Sequence, residues 1–409
     1  MKHAPDRKPY IPTLRRGFFT LFTLIAASVM IFFLSELIIT ISVERSASTT
    51  SLNSEKALHF AEAGFKYYQW HFKEFPNDLQ DGTSLAGPYV HSVADTETQS
   101  GAGGFSLTVA GTSACGVLSS ALIRSTGWST NASTQTRTLS AVFASPSLAA
   151  STTPARSDLS NVSSSFAQLK IYAQAGGTYL APSTQEGYKI VFKSNGTFDA
   201  YPVTATRSIS GYSIEDGWQQ EHTVISTLGV AVNHAIPAAC PVIFVEDNVW
   251  LEGTVSGKVT LAAANLVNVG VDPNIVLTND ITYAHDYGDG LTALAENSVL
   301  ISLQSPDVMH ISGIFVADKG HFGRNRYDDS GANAVPADLA SSVLRTSLIT
   351  KGTLASKGAI TTKWVSGGLF ISGYSAETDA HDGFLGETPP PFTPTTSNYF
   401  QSLNWREWN

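Results

Sequence analysis

Charge is scarce in this chain: only 14% of its 409 residues are Asp, Glu, Lys or Arg, and the formal net charge is −9. That balance offers no basic face to neutralise phosphates, which argues against nucleic acid as a partner. Cysteine is scarcer still. Cys115 and Cys240 are the whole complement, so a disulfide-dense mini-scaffold and a CxxC zinc or redox pair are both excluded. The two could pair in an oxidising compartment or stand as small buried residues, and the sequence does not choose between these. Recognisable catalytic signatures are missing as well: there is no GxSxG, HExxH or P-loop pattern, and neither cysteine has a plausibly placed histidine and base. We therefore expect no enzymatic activity and no cofactor. Glycine, by contrast, numbers 33, and serine and threonine are frequent, a balance typical of exported β-rich proteins.

One long apolar run is present, RRGFFTLFTLIAASVMIFFLSELIITI (Arg15 to Ile41). As a helix, Phe18 to Ile41 spans about 36 Å at roughly 1.5 Å per residue, against a hydrocarbon core of roughly 30 Å. Lys2, Arg7, Lys8, Arg15 and Arg16 precede it with only Asp6 opposing, which predicts a cytoplasmic N-terminus and an extracytoplasmic remainder in a single-pass topology. A cleavable signal would have a shorter apolar region; here the small-x-small candidate Ser46 to Ser48 comes only after Glu44 and Arg45. Glu36 falls near the outer end of the span, where an acid costs little. Beyond the run, Glu44 to Phe75 lacks proline and places Leu52, Ala57, Phe60, Ala61, Gly64, Phe65, Tyr68 and Phe72 on one helical stripe. Pro76 and Asn77 end it.

RRGFFTLFTLI resembles a prepilin leader ending at Gly17, with Phe18 as the first mature residue. ALHFAEAGFKYY (Ala57 to Tyr68) is similar to the AEAG segment of PilX-type minor pilins. FSLTVAG…ALIRSTGWSTNASTQTRTLSAVF (Phe105 to Phe143) resembles the antiparallel meander that packs on a pilin helix, with three alternating runs around a Ser-Thr-Gly turn. The resemblance implies processing at Gly17 and Phe18 and assembly with other pilin-like subunits through the pilus assembly machinery. In one respect the chain departs from it: fibre-forming pilins carry glutamate at the fifth mature position, which here is Phe22, and Glu36 lies too far along to substitute. A minor, priming or membrane-retained component fits better than a major subunit.

The expected organisation follows. Residues 1–16 form a basic cytoplasmic leader, 17–75 a transmembrane and amphipathic helix inserted through residues 17–41, and 76–145 the meander. Residues 146–185, rich in Ser, Ala, Thr and Pro, read as a linker. Residues 186–409 form a β-rich module. It opens with a hairpin, GYKIVFKSNGTFDAYPV, turning at Asn195-Gly196. From Pro241, short apolar runs follow at irregular spacing, as in VIFVEDNVWLEGTVSGKVTLAAA. They predict a right-handed parallel β-helix, with a β-sandwich as the rival. The whole is an α+β chain. The module, including TPPPFTPTTSNYFQSLNWREW, resembles a C-terminal β-rich module found on bacterial proteins with a PilX-like start, for which no activity is implied.

Two polar clusters deserve testing. NDITYAHDYGDG supplies Asp280, His285, Asp286 and Asp289, with Glu296 nearby. Asp280, Asp286 and Asp289 could hold Ca²⁺, contact a glycan or supply paired carboxylates for glycoside hydrolysis, which leaves a surface-anchored polysaccharide-binding or polysaccharide-cleaving β-helix protein as the alternative function, but the EF-hand spacing is absent and Asp-Gly is ordinary turn chemistry. DKGHFGRNRYDD gathers His321, Arg324 and Arg326, expected to form a solvated, self-paired loop or an anion or glycan contact.

Overall fold

A computed structural model describes residues 15–94, 101–130, 132–148, 162–268, 270–396 and 400–408. The basic residues Lys2, Arg7 and Lys8 lie outside the described residues. Helix α1 (Arg15–Glu74) is 60 residues long and ends just before Pro76, whose ring would clash with a continuing helix. Its second half lies on an antiparallel sheet built from β1 (Tyr89–Ala94), β2 (Gly101–Ala114), β3 (Val117–Ser129) and β4 (Ala132–Ala144). Tyr68 and Phe72 of α1 pack there with Phe105, Leu107, Ile123 and Phe143. Small residues set the approach distance. A Cβ on Gly64 would meet Ser125 Oγ at 2.1 Å, and one on Gly127 would meet the Ala57 carbonyl oxygen at 2.1 Å. This corrects the reading of Ser125-Thr126-Gly127 as a turn. The tripeptide lies within β3, and Gly127 is there because the helix backbone leaves no room for a side chain.

Residues 162–180 are likewise not a linker. Helix α2 (Val162–Ala175) presents Phe166, Leu169 and Ala173 as a buried stripe, and β5 (Thr178–Leu180) joins the module. The hairpin expected at Asn195-Gly196 is present: β6 (Gly187–Lys193) pairs antiparallel with β7 (Thr197–Ser213), and Gly196 takes the positive φ of 76° that a tight turn needs. Strand β7 runs on into a long hairpin with β8 (Gly217–Leu228), and β9 (Val232–Ala235) closes beside its start.

The remaining strands are β10 (Val242–Val245), β11 (Val249–Val255), β12 (Lys258–Ala263), β13 (Ile275–Tyr283), β14 (Gly290–Ala295), β15 (Val299–Ile301), β16 (Val308–Ala317), β17 (Phe322–Gly323), β18 (Leu344–Ser356), β19 (Ile360–Thr361), β20 (Lys363–Ser366) and β21 (Leu369–Ala380). Most of them form two parallel ladders, in which each of β10 to β17 pairs with the strand two places on, while β21 adds parallel to β18 and β20 pairs antiparallel with β21. The first runs β5, β10, β12, β14, β16, β18, and the second runs β6, β11, β13, β15, β17, β19. Thr260 pairs with Thr292, Thr292 with Ile314 and Ile314 with Thr353, so the rise per coil of chain is unequal in residues. That is why no fixed period shows in the sequence.

Both faces of the central strands β10, β12 and β14 are covered. One core holds Ile243, Leu261, Ala293 and Phe315 between the ladders. On the opposite side of the first ladder, Val242, Phe244, Ala262, Leu294 and Ile314 meet α2 and Leu385 of α3 (Gly383–Glu387). On the second ladder, Trp250 and Val276 are covered by Val203 and Ile225 of the long hairpin. Strands buried on both faces read as continuous apolar runs rather than alternating ones.

Two connections tie the parts together. The C-terminal strand β22 (Gln401–Trp408) returns to pair antiparallel with β4, so the antiparallel sheet has the order β1-β2-β3-β4-β22. The module as bounded at 186–409 thus gives its last strand to the N-terminal sheet. A disulfide joins Cys115, in the β2–β3 turn, to Cys240, just before β10, with Cα atoms 4.4 Å apart. The Cys115 backbone N–H also donates to the Ala239 carbonyl at 2.8 Å.

Candidate functional site

The uncovered part of α1 is the first candidate. Every residue from Phe18 to Leu52 is exposed, and the first buried one is Asn53. Phe18, Phe22, Leu24, Ile25, Phe32, Phe33 and Ile38 lie bare along this length. Each would gain about 1.5–3 kcal/mol from full burial, far too much to leave in water. The hydroxyls on the segment need no water: Thr23 donates to the Phe19 carbonyl at 3.0 Å, Ser35 to Ile31 at 2.8 Å, Thr40 to Glu36 at 2.9 Å and Ser42 to Ile38 at 2.8 Å. Such back-bonding lets Ser and Thr sit in an apolar medium. The helix is long and apolar enough to cross a membrane. Gly17 and Phe18 lie in its first turn, and Glu36 and Phe22 lie on its exposed length.

The acidic cluster separates into different duties. Asp289 is buried and accepts from Gly257 N–H at 2.7 Å and His285 N–H at 2.7 Å, with His285 Nδ1 at 3.1 Å. Its carboxylate pins the β13–β14 turn to the β11–β12 turn. Asp280 accepts from His310 N–H at 2.8 Å across two coils. Asp286 is exposed at the tip of its turn. Among the described residues, no three His, Cys, Asp or Glu side chains are grouped to hold a metal ion.

The DKGHFGRNRYDD loop is only partly the solvated loop expected. Arg326 does pair with Asp328 in the loop, Nε to Oδ1 at 2.9 Å. Arg324, however, is 0% exposed. It donates to the carbonyls of Val343 and Leu303 at 3.0 Å and to that of Ser342, with the Tyr327 and Tyr374 rings beside its guanidinium. Burial lowers its proton affinity from the usual arginine value.

Sequence reasoning missed the third candidate, a groove of about 360 Å³ between the β7–β8 hairpin and the second ladder. Its floor is a polar row placed one residue before successive strands. Asn248 Oδ1 accepts the Asn274 N–H at 2.9 Å, Asn274 Oδ1 accepts the Ser298 N–H at 3.1 Å, and Ser298 Oγ accepts the His321 N–H at 3.1 Å. The signal was available: Asn-Val-Trp-Leu and Asn-Ile-Val-Leu begin β11 and β13 in the same register. At the far wall, Glu221 accepts from Asn325 Nδ2 at 2.7 Å, from Thr223 Oγ1 at 3.1 Å and from Tyr327. The residue keeps some surface, yet its carboxylate is enclosed. Desolvation raises its pKa, and these hydrogen bonds and Arg324 only partly oppose that. His321 Nε2 lies 3.0 Å from Asn325 Oδ1, and its Nδ1 lies 3.6 Å from Glu215 Oε2.

Among solved structures, the chain is similar to the competence-associated pilin ComZ from Thermus thermophilus, with 12% identity over 87% of this chain and 97% of that one and a TM-score of 0.24. A likeness of that size establishes neither a shared fold nor a shared function. No family model and no curated protein matches the chain.

Proposed function

We propose that the chain is a non-enzymatic envelope protein of minor-pilin type, PilX-like in its first half, which assembles through α1 and displays its C-terminal module outside the cytoplasmic membrane. The observation that carries this reading is the contrast along one helix. The stretch from Asn53 to Phe72 buries a stripe against its own sheet, whereas Phe18 to Leu52 is covered by nothing among the described residues. A bilayer first, and the apolar helices of other pilin-like subunits after it, would supply the missing cover. The basic residues ahead of the segment favour a cytoplasmic N-terminus. In this reading the two parallel ladders are coils of a parallel β-helix, stiff enough to hold a binding surface away from the membrane. The test is fractionation of cells expressing the full chain, with N-terminal sequencing of the extracted protein. We expect it in the membrane fraction, beginning either at its encoded N-terminus or at Phe18. Paired Ile25→Arg and Phe32→Arg substitutions should move it out of that fraction, since charges near a span's centre each cost about 2.5–3.5 kcal/mol on insertion scales. A start near Ser46, or a soluble unsubstituted chain, overturns the proposal.

A further inference from the structure

The groove under the β7–β8 hairpin is built of groups that can both donate and accept. Asn274 spends its Oδ1 on the Ser298 N–H and keeps its amide N–H₂. Gln220 accepts from Ser208 Oγ at 2.8 Å through Oε1 and keeps its own N–H₂, while His222 meets Thr206 at Nδ1 and keeps Nε2. Asn297 also lines the groove, with its side chain unspent among the described residues. Charge narrows the ligand further. Glu186, Asp216 and Glu221 line the groove and, among the described residues, no Lys or Arg does, so a phosphate, sulfate or uronate would meet repulsion without a cationic partner. An apolar ligand would strip water from these amides and return no hydrogen bond. Vicinal hydroxyls, each one donor and two acceptors, match amide side chains on both counts. The volume lies at the small end of ligand sites, enough for a short stretch of a sugar chain.

We infer that the groove between the polar row Asn248, Asn274, Ser298 and the hairpin residues Gln220 and His222 binds uncharged, polyhydroxylated ligands, the sugar units of a neutral glycan. The fixed row supplies the register, since each of its side chains is already oriented by the next strand's N–H. The exposed hairpin residues close over the ligand from above. Binding alone is inferred, because both Glu221 oxygens are occupied by Tyr327, Thr223 and Asn325. The inference stands on the module and does not depend on how α1 is used, so its failure leaves the proposed anchoring untouched.

The experiment is isothermal titration of the full chain, held in a zwitterionic detergent without a sugar headgroup. The probes are cellotriose and the trimer of N-acetylglucosamine, with trigalacturonate as the anionic counterpart. We expect saturable binding of at least one neutral trimer and none of trigalacturonate. Gln220→Ala and His222→Ala lie at exposed positions and should keep the wild-type melting temperature while weakening binding by roughly tenfold each. Asn297→Ala supplies a third variant on the opposite wall, expected to act in the same direction. No saturation by either neutral trimer up to about 10 mM, weaker than any millimolar site, overturns the inference. So does equal binding of trigalacturonate, or wild-type affinity in all three folded variants.

Discussion

Strand β3 of the antiparallel sheet alternates buried and half-buried residues along most of its length, whereas β14 of the parallel ladders is buried at every position. The first strand has one face on α1 and shows the other to water. The second is sealed by the inner core on one face and by α2 or its neighbours on the other. Both are rich in small and aliphatic residues, so what separates them is how many neighbours the fold brings. The same distinction separates the two ends of α1, where identical side-chain chemistry is buried at Phe72 and bare at Phe32.

The largest expected effect tests this difference in cover directly. Phe315 is 0% exposed among Phe322, Ala293 and other core residues. Phe315→Ala should cost about 3–5 kcal/mol, the range for large core truncations, read as a drop in the denaturation midpoint. Leu122 of β3 is only half-buried and lies outside the core clusters, so Leu122→Ala should cost well under half as much. Equal costs would break the comparison. A smaller effect tests whether the two regions are independent. Cys115→Ser with Cys240→Ser should cost about 2–4 kcal/mol. It should also separate calorimetric unfolding into two transitions; a single transition would show that the β4–β22 pairing alone keeps the regions cooperative.

The smallest effect is pH-dependent. Burial raises the Glu221 carboxyl above its unfolded value, so the folded chain binds that proton more tightly. The contribution is greatest below the unfolded pKa and declines as pH rises through the folded one. Glu221→Gln should therefore be closest to wild type in stability under acidic conditions and gain on it as the pH rises, measured by thermal melts across the acidic range. A difference independent of pH would show that the carboxylate is fully compensated by its hydrogen bonds.

Much of this organisation was legible from local chemistry. Asn195-Gly196 marked its hairpin, Pro76 the end of α1, and the buried stripe from Ala57 to Phe72 the helix face. Asp-Gly marked turn chemistry near Asp289, but not that its carboxylate is buried between two turns. What was not legible depends on distant partners. Residues 162–175 sit in a Ser- and Ala-rich stretch whose composition masks the spacing of Phe166, Leu169 and Ala173. Gln401 to Trp408 carries no mark of pairing with β4, because that register is set by the sheet edge it meets. Ser125-Thr126-Gly127 was misread because turn glycine and close-packing glycine look alike in a string of letters. The groove went unread because its floor draws on four separate coils.

The return of β22 to the first sheet has a mechanical consequence. The chain leaves that sheet at Ala144 and rejoins it at Gln401, and the Cys115–Cys240 bridge ties the loop between them back to the β2–β3 turn. Tension applied along α1 ends in the sheet on which the helix lies. The parallel ladders hang from that sheet as a loop closed at both ends, so they carry load only when something grips the module itself.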